Sequence, residues 1–132
     1  MKHQAFDVDG TRGEYKNEKH DCTVFAISIA AQMPYGAAHR ELELAGRKAR
    51  KGFPTRQFIS FKQNRIANYR VSEVPLFAIR PTLARVRHLT QSGRYIVTIT
   101  RHAFAVIDGI VHDSYPSGGR ARVKAIYKLE AI

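Results

Sequence analysis

The sequence predicts an α+β fold, and three features carry that expectation. The first half of the chain shows helical apolar spacing punctuated by capping residues. After Ser92-Gly93 the residues become β-branched and aromatic. An Asp108-Gly109 pair lies between two apolar stretches, a strong signal for an antiparallel hairpin. Helices first and an antiparallel sheet after is the α+β order. No repeat, low-complexity tract or Pro/Ser linker divides the 132 residues, so one domain over 1–132 is expected.

Residues 1–20 are polar and glycine-spotted and read as an irregular lead-in. Asp21 stands where an N-cap would, before a helix beginning at Cys22. Val24, Phe25, Ile27, Ile29, Ala30 and Ala31 are apolar or small nearly all round, the pattern of a buried helix. Met33-Pro34 starts a second helix, with Tyr35, Ala38, Leu42 and Ala45 on its inner face and Gly46 closing it. Arg56 to Ala67 reads as a polar helix, and Thr82 as the cap of a short one through Leu83, Val86 and Leu89. Tyr95–Thr100, Ala103–Ile107 and Ile110–Asp113 read as strands, and Arg120–Leu129 as a further, half-exposed one.

Leu, Ile, Val and Phe make up a quarter of the chain, enough for a packed core. A single cysteine excludes an internal disulfide framework. No apolar run approaches the ~18 residues of a membrane span, and Met1–Asp7 has no apolar signal core. A cytoplasmic protein without membrane contact is therefore expected. Neither CxxC nor HExxH occurs, so no metal and no cofactor is expected.

The net charge of +11 is concentrated: His39 to Arg94 holds 13 Lys and Arg against 3 Asp and Glu. Two readings stay open. One is a solvated basic surface; the other is a site for nucleic acid or an acidic protein. The run Arg47-Lys48-Ala49-Arg50-Lys51-Gly52 is not interleaved with aromatics and favours an acidic partner over a stacking platform.

Chemistry, if present, rests on Cys22. A thiol in the first turn of a helix gains thiolate character from the amide dipoles there. A lone cysteine also serves commonly as a small buried apolar residue, so its partners decide the matter. A two-residue loop at Asp108-Gly109 pairs Ile107 with Ile110, Val106 with Val111 and Ala105 with His112. Alternation then puts His102 on one face with Phe104, Val106, Val111 and Asp113, and turns His112 the other way. Asp113 becomes a diagonal neighbour within reach of the His102 imidazole. His3, His20, His39 and His88 have no comparable setting.

The order of Asp21-Cys22-Thr23 at a buried helix, His102 on a strand and Asp113 on the next strand resembles the papain-like cysteine peptidases. The likeness spans residues 21–30 and 93–114 and is similar to compact papain-like domains of bacteria and their phages, which makes a phage-encoded or virion-associated protein a further expectation. The resemblance implies acyl transfer on a protein or peptide substrate. Cys22 is the implied nucleophile, His102 the acid–base and Asp113 the residue that orients it. It also implies an amide side chain at the oxyanion hole ahead of the cysteine. Lys16 and Asn17 stand in that region, and Asn17 is the available amide donor. A looser likeness, through Asp21-Cys22-Thr23 and His102 to His112, is to bacterial cell-wall endopeptidases. The competing expectation is a catalytically inert basic module that binds nucleic acid or an acidic protein.

Overall fold

The computed structural model describes residues 2–4, 21–48, 51–113 and 119–132. The elements run β1 (Lys2–Gln4), α1 (Cys22–Ala30), α2 (Tyr35–Leu44), α3 (Thr55–Phe61), β2 (Arg65–Ile66) and β3 (Tyr69–Glu73). They continue with α4 (Leu83–Val86), a 3-10 turn (Arg87–Thr90), β4 (Arg94–Ile99), β5 (His102–Ile107), β6 (Ile110–His112) and β7 (Val123–Ala131). The class is α+β. The sheet has the strand order β1-β6-β5-β4-β7-β3-β2, antiparallel throughout except for the parallel edge pair β1–β6. Lys2–Gln4 is therefore a strand, where the sequence suggested only irregular chain. No helix of the described residues is long and apolar enough to cross a membrane.

Strand alternation splits the core between the two faces of the sheet. Ile96, Ala103, Ala105, Tyr127 and Leu129 pack with α1, α2 and α3. Tyr95, Val97, Phe104, Val106 and Ile126 pack on the opposite face with Leu83 and Val86. The helix α1 is buried from Thr23 to Ala30, as its apolar circumference requires. The small residues Ala103 and Ala105 of β5 lie in the cluster beneath it.

Helix ends obey local backbone rules. After α2, Arg47 N donates to Leu42 O and Gly46 N to Glu43 O, with Gly46 at φ +117, a Schellman closure. The same closure ends α1 through Gln32 (φ +54) and α3 through Gln63 (φ +55). It stops α3 at Phe61, so the helix expected to reach Ala67 is cut short and Arg65–Ile66 turns back to pair with Tyr69–Arg70. A second correction concerns β7. It lies between β4 and β3 with helices on one face and α4 on the other, so Ala125, Ile126 and Tyr127 are consecutively buried rather than half-exposed.

Candidate active site

Cys22 is the first residue of α1 and is half-buried. Asp21 occupies the N-cap position but makes no side-chain bond to the helix amides. Its carboxylate instead accepts a hydrogen bond from the buried Tyr35 hydroxyl at 2.6 Å. That bond ties the residue before Cys22 to α2, and Thr23 ties the residue after it to the start of α3: its hydroxyl donates to Phe53 O at 2.9 Å. The cysteine is thus held from both sides.

The hairpin follows the expected register: Ile107 pairs with Ile110, Val106 with Val111 and Ala105 with His112. Asp108 and Gly109 take φ +48 and +81, the left-handed pair that suits a two-residue hairpin loop. His102 begins β5 and Asp113 directly follows β6. His102 Nε2 lies 2.7 Å from Asp113 Oδ1, with the carboxylate side chain only 1 % exposed. A carboxylate only accepts, so Nε2 carries the proton, and Nδ1 is the nitrogen left for the sulfur. Cys22 meets the imidazole at this strand start, hydrogen-bonded to His102 and to the backbone of Ala103.

The electrostatics follow from those bonds. The hydrogen bond to Asp113 and that to Cys22 push the His102 pKa up to about 10 against the opposing effect of burial. For Cys22, burial is the largest single influence and pushes the thiol up. The bonds from His102 and Ala103, with the nearby imidazolium charge, outweigh it together and bring the thiol below its ordinary value. Both shifts favour a thiolate beside an imidazolium. His112 faces away, as expected, and burial holds its pKa down, with help from Arg94.

A cleft of about 800 Å³ opens at the pair, bounded by Thr23, Gly52–Arg56, Arg80, Thr98, Ile99, Arg101, Ala103, Lys124, Ala125 and Tyr127. Its walls come from the loop before α3, the β4–β5 turn and β7. Among the described residues of the basic run at 47–52, only Gly52 lines it. Arg47 is buried at 4 % exposure and lies 3.4 Å from His39 Nε2, so it belongs to the interior rather than to a basic surface. His39 itself pairs with Glu43 at 2.7 Å. Asn17 lies outside the described residues. Among those described, no group of three or more His, Cys, Asp and Glu is arranged to hold a metal ion.

The contacts that Tyr35, Thr23 and Ala103 make around Cys22 were not foreseen from the sequence. Thr23 carried a usable signal, a hydroxyl in the first turn beside the thiol. Tyr35 and Ala103 act only through tertiary proximity. Comparison with known families, curated proteins and solved structures returns no match. The geometry of the site is therefore what bears on function.

Proposed function

We propose that the protein is a cysteine hydrolase that cleaves a peptide or other amide bond, with Cys22, His102 and Asp113 as a papain-like triad. The observation that carries this reading is the convergence of a helix-start thiol, an imidazole and a buried carboxylate at one end of an open cleft. The thiolate attacks the substrate carbonyl carbon, forming a C–S bond. The tetrahedral oxyanion is met by amide donors of the first turn of α1, which have no intrahelical acceptor. His102 gives its proton to the leaving nitrogen as the C–N bond breaks, leaving a thioester on Cys22. Neutral His102 then takes a proton from water, whose oxygen adds to the thioester carbon. The C–S bond breaks, releasing a carboxylic acid and the thiolate, with the proton back on the imidazole. Asp113 holds the ring in the tautomer that this cycle needs. Asn17 is the side-chain candidate for the oxyanion hole.

The test is hydrolysis of a fluorescently labelled, denatured casein by the wild-type protein and by Cys22→Ala and His102→Ala. Wild type cleaves, and each variant loses at least ~10³-fold in rate, as removal of a triad member does elsewhere. Equal rates in all three proteins would overturn the reading, as would no cleavage together with an ordinary thiol at Cys22.

A further inference from the structure

We infer that the cleft selects acidic peptides, placing an Asp or Glu side chain beside the scissile bond against Arg80, Arg101 and Lys124. The inference rests on the hydrolase reading above and names its substrate class.

Four Lys and Arg side chains are among the described residues that line the cleft, and no Asp or Glu is. One of the four, Arg56, is already engaged: its guanidinium lies 3.1 Å from Glu73 and over the Tyr127 ring. Arg80, Arg101 and Lys124 are exposed and have no carboxylate partner among the described residues. Each stands at a backbone irregularity. Arg101 fills the second position of the two-residue loop joining Ile99 to His102, at φ +58, where glycine would sit without strain. Arg80 is held at φ +48, and the bond from Val123 N to Pro81 O fixes the residue after it to β7. Lys124 is the extra residue where β7 shifts register, between the pairs Thr98–Ala125 and Ile99–Val123. Bulges and left-handed residues persist where a side chain must be aimed, and they concentrate beside functional sites. Three such positions converge on one cleft, and all three present a cation.

The geometry favours a peptide over nucleic acid. A thiolate–imidazolium pair acts on carbonyl carbon, and the cleft offers no stacking platform. Tyr127 is buried, leaving Phe53 as the one partly exposed aromatic among the described lining residues.

The experiment compares alkylation of Cys22 by anionic iodoacetate and neutral iodoacetamide across pH, in the wild type and in Arg101→Glu and Lys124→Glu. The same proteins then digest a pool of synthetic octapeptides of random composition, with cleaved bonds identified by mass spectrometry. The iodoacetate-to-iodoacetamide rate ratio is expected to fall roughly 5-fold in each variant, the size of one exposed charge pair doubled by reversal. Wild-type cleavage sites are expected to be enriched at least ~5-fold in Asp or Glu next to the cut, and the variants lose that enrichment. Arg101→Gly is expected to raise the Tm while lowering the enrichment, an outcome that a purely structural arginine would not give. Two results overturn the inference alone: a low-pH alkylation inflection with ratios unchanged and no acidic enrichment, or protection of Cys22 by a single-stranded oligonucleotide but not by acidic peptides. An ordinary thiol profile in the wild type would instead remove the hydrolase reading, and this inference with it.

Discussion

Asp113 controls the site although it never meets the sulfur. Its bond is the largest influence raising the His102 pKa, so it sets the pH at which the imidazolium is lost. Asp113→Asn is expected to move the alkaline limb of hydrolysis down from about 10 toward the ordinary 6.5 of a histidine, read from a pH–rate profile. The same shift has a stability consequence with a definite sign. Because folding raises this pKa, the stabilisation is complete below 6.5 and disappears as pH rises through about 10. Urea midpoints across that window should fall with pH in the wild type and stay flat in His102→Ala. That variant also removes a hydrogen-bond donor from a buried carboxylate, at a cost of about 2 kcal/mol near neutral pH, measurable by urea denaturation. The pairing of His102 with Asp113 was legible in the sequence because the Asp-Gly loop settles which side chains share a face. Tyr35 was not, because its role depends on how α2 packs beside Asp21, which local pattern does not encode.

Among the elements, the β5–β6 hairpin matters most, since a one-residue slip would put His112 where Asp113 now stands. Its loop is pinned on three sides. Asp108 N donates to Gly93 O, Asp108 Oδ1 accepts from Gly93 N at 2.7 Å, and Gly109 N donates to Thr90 O. A Cβ on Gly109 would lie 3.2 Å from Gln91 Oε1 and would sit at φ +81. Gly109→Ala is expected to cost about 1–2 kcal/mol, read as a lower urea midpoint. The helices and the four C-terminal strands announced themselves by periodicity and β-branched content. The pair β2–β3 did not: it is short and polar, and its turn relies on Ala67 at φ +52 rather than on glycine. Likewise β7 alternates charged and apolar residues at its start, and nothing local reveals that both its faces are covered.

Across the whole molecule, the positive charge separates into structural and exposed parts that composition cannot distinguish. Arg94 Nε donates to Ala30 O at 2.8 Å and its second amino group to Ile29 O at 3.0 Å, satisfying the C-terminal carbonyls of α1 with a cation. Arg94→Ala is therefore expected to destabilise by about 2 kcal/mol, whereas removal of the exposed Lys48 should change stability by less than ~0.5 kcal/mol in the same assay. Of the cations facing the cleft, Arg101 and Lys124 lie outside the basic middle of the sequence. The charge surplus between His39 and Arg94 includes Arg56 and Arg80 of the cleft but not Arg101 and Lys124, because the sheet gathers residues from the β4–β5 turn and β7 into one wall.

The rate of Cys22 alkylation by iodoacetamide from pH 4 to 10, in the wild type and in His102→Ala and Asp113→Asn, tests the thiolate–imidazolium pair most directly. A thiolate–imidazolium pair gives an inflection below the ~8.5 of a free thiol that moves upward in His102→Ala. A slow profile with an ordinary inflection, the same in all three proteins, would contradict it and make Cys22 a core residue.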